Sequence, residues 1–183
     1  LDLSSLTLAL SGAEPVDPDA MDAFAAAAEP HGFRAGAVFP AFGMAEVAIA
    51  GTFPPRGRGM VCDTVDRVVL ERDHVAKPVV VDDPDDYAIS ARRLPLLGRA
   101  IPGLEIRVVD PDTFDERPER HVGELVIRGT SVTPGYYRRA DATAALFRDG
   151  WLRTGDLAYQ LDGELVLCGR IKDVIIVGGR NVF

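Results

Sequence analysis

Apolar and polar positions follow one rhythm before about residue 53 and another after it. "LTLAL" (6–10) is a short apolar run that reads as a buried strand, and "SGAEPV" (11–16) follows it as a turn. In "DPDAMDAFAAAAE" (17–29) Asp17 is placed to cap a helix and Pro18 to open it. Ala20, Met21, Phe24, Ala27 and Ala28 fall on one face of that helix, which therefore packs against something. "GAVFP" (36–40) suggests a second strand, and "AFGMAEVA" (41–48) a turn into a short helix. Strand, helix and strand in this order make one unit of an α/β layer. One unit cannot bury both its faces, so the rest of the layer is expected upstream.

From Thr52 onward the runs shorten and turn residues multiply. Strands are expected at "VDRVVLE" (65–71), "VVVD" (79–82), "LEIRVVD" (104–110), "GELVIRG" (123–129), "LAYQLDGELVLCG" (157–169) and "VIIVGG" (174–179). Leu104, Ile106 and Val108 alternate with polar residues. Asp162-Gly163 lies between two such runs and signals a hairpin. "ADATAALF" (140–147) reads as a brief helix, and "DDPDDYAISARRLP" (82–95) as an exposed acidic loop. Short strands punctuated by Pro, Gly and Asp predict a small β-barrel or sandwich. The fold class is thus α/β plus β.

Composition narrows the function. A net charge of −8 argues against an autonomous nucleic-acid-binding module, because phosphate contacts need a basic surface. Cys62 and Cys168 form no close-spaced motif, which fits a reducing, cytoplasmic setting better than metal or redox chemistry. No secretory signal is visible. Stretches such as "VFPAFGMAEVAIAG" are interrupted by Pro, Gly and Glu and are too short for a membrane span. The opening "LDLSSLTLAL", without an initiator Met, reads as the middle of a larger protein. His31, His74 and His121 lie far apart in loop-like text with no nucleophile beside them, so histidine chemistry is not expected.

Four stretches carry candidate chemistry. The small residues of "SGAEPV" allow close backbone approach to a flat ligand, or simply form a strand-to-helix turn. In "FPAFGMAE" (39–46), Phe42 could stack on a planar base and Glu46 could bind Mg²⁺, or they could be a buried Phe and a helix-start Glu. Asp156 in "GWLRTGDLA" (150–158) could accept two neighbouring hydroxyls, as on a ribose. Hydrogen bonds to such a charged acceptor are worth about 1.5–3 kcal/mol each. Arg170 in "GRIKDVIIVGGRN" (169–181) offers a fork of donors, or a surface ion pair.

Taken together and in order, "SGAEPV", "FGMAE", "GELVIRGTSVTPGYY", "TGD" and "GRIKD" resemble the adenylate-forming superfamily of acyl-CoA ligases, luciferases and peptide-synthetase adenylation domains. "LALSGAEPV", "CDTVDR", "VDPDT", "GGRNVF" and the long stretch from Val47 to Leu97 look most like fatty acyl-AMP ligases.

The resemblance implies three parts. Residues 1–53 would close the second α/β layer. Residues 54–168 would form a distorted β-barrel with an insertion at about 54–97. Residues 169–183 would be the hinge and the start of a small mobile domain. It implies ATP and Mg²⁺ as cofactors. Gly12, Ala13 and Glu14 would lie at the adenine edge, and Phe42 on the adenine face beside Gly43 and Met44. Glu46 would bind Mg²⁺, Asp156 and Arg170 would hold the ribose, and Lys172 would be the pivot. Fatty acid and ATP would yield acyl-AMP for an acyl carrier protein, with CoA as the alternative acceptor. A non-catalytic scaffold of the same fold is a third possibility. The phosphate loop and the late catalytic lysine of such enzymes do not occur in these residues, so the isolated chain is expected to be inactive.

Overall fold

The computed structural model describes residues 1–79, 91–173, 175–177 and 180–182, with side chains up to Asp173. The first unit is β1 (Ala9–Ser11), α1 (Pro18–Ala28) and β2 (Val38–Pro40), with β1 and β2 parallel and Ala9 opposite Val38. Asp17 caps α1 by accepting from the backbone N–H groups of Asp19 and Ala20 at 2.9 and 3.3 Å. Met21, Ala25 and Ala28 pack onto Ala9, Phe33, Ala37 and Val38. The buried stripe is thus rotated from the face expected from spacing. Phe24 stays 44% exposed and meets Phe33 edge-on at 5.2 Å. After β2 the chain makes one 3₁₀ turn, Ala45–Val47, where a short helix was expected.

The second region is built from antiparallel strands. They are β3 (Thr52–Phe53), β4 (Cys62–Asp66), β5 (Ala91–Pro95), β6 (Arg99–Ala100), β7 (Leu104–Val109), β8 (Gly123–Gly129), β9 (Phe147–Arg148), β10 (Trp151–Leu161) and β11 (Glu164–Arg170). The helices α2 (Arg67–Asp73) and α3 (Ala140–Leu146) interrupt them. A sheet of order β11-β10-β8-β7, with β9 beside β10, forms a curled half-barrel. The smaller pairs β3–β6 and β4–β5 lie beside it, with β5 and β6 next to β11. The join is a reciprocal pair of backbone bonds, Leu97 N–H to Leu165 O and Leu165 N–H to Gly98 O, each 2.8 Å. A 3₁₀ turn, Ile171–Asp173, leads to the hairpin β12 (Ile175–Val177) and β13 (Arg180–Val182).

Strand alternation sends the sheet's side chains into two cores. Val166 and Cys168 join Val65, Leu70, Leu94, Leu157 and Tyr159 in one. Leu165 and Leu167 join Phe42, Val47, Leu104, Leu125, Ile127 and Ala158 in the other. Burial pushes the Cys168 thiol up to about 12, which keeps it a protonated core residue at neutral pH. Tyr159 is fully buried, and its hydroxyl donates to Asp63 at 2.8 Å.

Two further expectations are corrected. "VDRVVLE" is not a strand: β4 ends at Asp66, whose side chain accepts from the N–H groups of Val68 and Val69 at 2.8 and 3.0 Å and starts α2. The "ARRLP" end of the expected acidic loop is strand β5, paired along its length with β4. The rest of that loop, 82–90, and most of "VVVD" lie outside the described residues, as do parts of "VIIVGG".

Candidate functional site

β1 and β2 end side by side and parallel, so the loops that follow them open from the same edge. In open α/β sheets that edge, at the strands' carboxyl ends, is where ligands collect. Gly12 follows β1, and a Cβ there would come within 2.7 Å of Ala41 O. The approach is close because Ala41 N–H donates to Ser11 O at 2.9 Å. Ala13 adopts φ +72, a conformation strained for an L-residue, and presents its backbone with Glu14 exposed beyond it.

After β2, Phe42 and Thr52 exchange backbone hydrogen bonds and fold the "AFGMAE" loop back on itself. Gly43 sits inside this fold: a Cβ there would lie 1.6 Å from Ile49 O, so no other residue fits. The loop turns Phe42 inward, onto Val47, Leu97 and Leu104, leaving 6% of its surface exposed. Any planar partner for Phe42 is confined to that strip. Met44 is half-buried at the edge of the same core. Glu46, half-buried, is held twice by a segment some ninety residues away. Thr133 N–H donates to its carbonyl at 2.7 Å, and the Tyr136 hydroxyl donates to its Oε1 at 2.6 Å. The Glu46 carboxylate pushes the Tyr136 phenol up, because ionising the phenol would break that bond beside a negative charge.

The Thr-Gly-Asp turn is a bulge in the middle of β10. Arg153 pairs with Val126 and Leu157 with Glu124, so Thr154, Gly155 and Asp156 stand opposite Leu125 alone. Gly155 supplies φ +73. The bulge is fixed from below. Thr154 Oγ1 donates to Leu125 O at 2.8 Å and accepts from Asp156 N–H at 3.0 Å. Glu124, only 2% exposed, takes both Arg153 Nε and Nη2, at 2.9 and 2.6 Å, and the Gly155 N–H at 3.3 Å.

This scaffold holds Asp156 at 5% exposure, opposite Arg170 across the β10–β11 ladder. Arg170 Nε donates to Asp156 Oδ1 at 2.9 Å. Burial pushes the Asp156 carboxyl up from its ordinary value, and the bond from Arg170 only partly counters this. Lys172 is exposed in the 3₁₀ turn that follows.

Direct contacts therefore join Gly12 to the Phe42 segment through Ala41, and Asp156 to Arg170. Among the described residues no hydrogen bond or ion pair joins these two groups to each other. What they share is one apolar cluster: Val16, Phe42, Met44, Leu125, Ala158 and Leu167, each within or beside one of the motifs, pack together. Sequence reading gave no role to Tyr136, Glu124 or Thr154. "TSVTPGYY" was a signal for the first, but a long-range partner leaves no local pattern. A separate cavity of about 210 Å³, lined by Arg107, Val109, Phe114, Glu116, Val126, Asp149 and Trp151, includes none of the expected site residues.

A family model described as AMP-binding enzyme matches residues 1–137. Rv1013 of Mycobacterium tuberculosis, whose name provisionally makes it a ligase and gives no substrate, is 42% identical over 183 residues, covering 100% of this chain and 32% of that protein. The medium-chain-fatty-acid–[acyl-carrier-protein] ligase JamA of Moorena producens is 35% identical over 189 residues, covering 99% and 31%. A structure from a study of fatty acyl-adenylate ligases of E. coli and L. pneumophila superposes with a TM-score of 0.90 at 34% identity, covering 100% of this chain and 32% of that one. The chain thus spans about a third of the length of the curated relatives it matches.

Proposed function

The chain belongs to the AMP-binding enzyme family, within the adenylate-forming superfamily, and from that premise we propose that it is the nucleotide-binding middle of a fatty acid–AMP ligase. In the proposed reaction a fatty-acid carboxylate oxygen attacks the α-phosphorus of ATP. The bond to pyrophosphate breaks, pyrophosphate leaves, and acyl-AMP forms. A carrier-protein phosphopantetheine thiol then takes the acyl group and AMP departs. Attack of one anion on another depends on positioning and charge neutralisation rather than on covalent help from the protein. The observation that carries this reading is the placement of Asp156. A buried carboxylate on a glycine bulge, with an arginine across the ladder, is built to accept hydroxyls from a ribose.

The remaining roles are assigned on the same reading. Gly12, Ala13 and Glu14 border the adenine with their backbone. Gly43 and Met44 continue that border, and Phe42 supports it from the core, touching the base only through its exposed strip. Arg170 braces Asp156 and reaches the ribose. Lys172 is the pivot of a small following domain. The division at about 53 and 168, with an insertion at about 54–97, belongs to this proposal.

The donor set fits Mg²⁺ as it is held in phosphate sites. Among the described residues no group of three or more His, Cys, Asp and Glu gathers; on this reading Glu46 contributes one carboxylate, and nucleotide phosphates and water contribute further ligands. When bound, the ion would neutralise charge on the phosphates. Among the described residues no helix is long and apolar enough to cross a membrane.

The acceptor is proposed as an acyl carrier protein, which is what JamA's name states for that relative. CoA is the competing acceptor. The test uses the full-length ligase with fatty acid, ATP and Mg²⁺, with and without CoA. Acyl-AMP is expected to accumulate, and Asp156→Ala is expected to weaken ATP binding about 10- to 100-fold. Efficient acyl-CoA formation would replace this reading with an acyl-CoA ligase. Unchanged ATP binding in Asp156→Ala would leave a scaffold. The 183 residues alone are expected to catalyse no ATP–pyrophosphate exchange.

A further inference from the structure

The Glu46–Tyr136 contact is the shortest link between the loop after β2 and the segment after β8, and the proposed chemistry does not use it. Its surroundings are built to aim the phenol. Gly135 adopts φ +140 against the side chain of Thr143 in α3, where a Cβ would come within 2.3 Å of Thr143 Cγ2. The Tyr136 N–H donates to Thr143 Oγ1 at 3.0 Å, and that hydroxyl donates to Arg139 O at 2.8 Å. Thr133 Oγ1 and the Gly135 backbone bond to each other at the loop's base. Backbone and side chain of Glu46 are both held by this loop. The phenol takes Oε1, and among the described residues no hydrogen bond is made to Oε2. Tyr137, the next residue, is 84% exposed, with Arg138 over its ring at 5.1 Å.

We propose that Tyr136 is a positioning residue for Glu46: its hydroxyl fixes one carboxylate oxygen so that the other faces the nucleotide-bound divalent cation. The inference rests on the reading of Glu46 as the cation's protein ligand. Mg²⁺ demands near-ideal geometry, and a lone carboxylate that swings freely meets that demand poorly. Partners that orient a metal ligand typically contribute 10- to 100-fold in metal affinity. The tyrosine is also exposed enough that its hydroxyl can be removed without opening the core.

The experiment measures ATP binding to the full-length ligase by calorimetry as Mg²⁺ is titrated, in wild type, Tyr136→Phe, Tyr137→Phe and Glu46→Gln. Tyr136→Phe is expected to raise the Mg²⁺ concentration at half-saturation about tenfold. ATP affinity at saturating Mg²⁺ should stay within about twofold of wild type, a split that general loosening of the loop would not produce. Tyr137→Phe is expected to match wild type. If Tyr136→Phe also matches wild type while Glu46→Gln loses the Mg²⁺ dependence, the positioning role is wrong and the reading of Glu46 stands. If Glu46→Gln keeps the wild-type Mg²⁺ dependence, both are overturned.

Discussion

Asp156 is poised at a cost to the empty protein. Burial raises its carboxyl's pKa, so the folded chain prefers the protonated form more than the unfolded chain does. Below the ordinary aspartate value both states are protonated and stability is unaffected. As pH rises from that value through the raised folded one, the unfolded chain ionises first and the fold loses stability. The loss is complete above the folded value. Arg170 cannot cancel it, because its side chain is 66% exposed and water screens the pair. Asp156→Asn is therefore expected to raise the thermal midpoint of the nucleotide-free protein at pH 7 by about 2 °C. The gain should vanish below about pH 3. Scanning calorimetry at the two pH values checks this, and a lowered midpoint at pH 7 would show that the ion pair outweighs burial. The sequence made Asp156 visible because a carboxylate in a Thr-Gly-Asp turn is a local pattern. For Phe42 the sequence left base stacking and burial both open, since the neighbours Leu97 and Leu104 that turn it inward lie far along the chain.

At the scale of elements, capping decided what hydrophobic pattern left ambiguous. Val65, Val68, Val69 and Leu70 are apolar, three of them β-branched, and read as a strand. Asp66 breaks it by satisfying two of the N–H groups that a helix start leaves bare, and Leu70 then buries fully from α2. Replacing that cap, Asp66→Ala, is expected to cost about 1 kcal/mol, read as a lower midpoint in urea unfolding. A cost within error would mean that burial of Leu70 alone holds the helix. Asp17 was legible as a cap because Pro18 and a helical spacing of apolar residues follow it. The Asp162-Gly163 hairpin was legible too, and its residues adopt φ +51 and +74, as such a turn requires. The bulge at Thr154–Asp156 was not, because a bulge is a count of residues against a partner strand.

For the molecule as a whole, stability and site geometry depend on the same core. Leu125 is fully buried, packs with Phe42, Val47 and Ala158, and its carbonyl accepts from Thr154 beneath the Asp156 bulge. Leu125→Ala is expected to cost about 2–5 kcal/mol, as truncations that leave a cavity do, measured by urea unfolding. A loss below about 1 kcal/mol would mean that the cluster collapses around the gap and is not a rigid support. Ion pairs add links at longer range, within the second region and between it and α1. Arg58 grips both oxygens of Glu164, at 2.6 and 2.9 Å, and Arg93 of β5 reaches Asp19 and Asp22 of α1, each at 2.7 Å.

The sequence alone determined the order of textures, an α/β unit before a β region. It also marked the capped helix α1, the Asp-Gly hairpin and the family to which the ordered motifs point. The helix cap, the hairpin and each single motif are written in residues near one another, where spacing, propensity and turn chemistry act, and the order of textures and motifs is read directly along the chain. Only the tertiary structure decided that Phe42 faces the core, that Glu46 meets Tyr136, and that Glu124 and Thr154 hold up the Asp156 bulge. The bonds from Glu46 to Tyr136, Thr154 to Leu125 and Glu124 to Gly155 join residues from about thirty to about ninety positions apart, where strand pairing and close packing, rather than local preference, choose the partner.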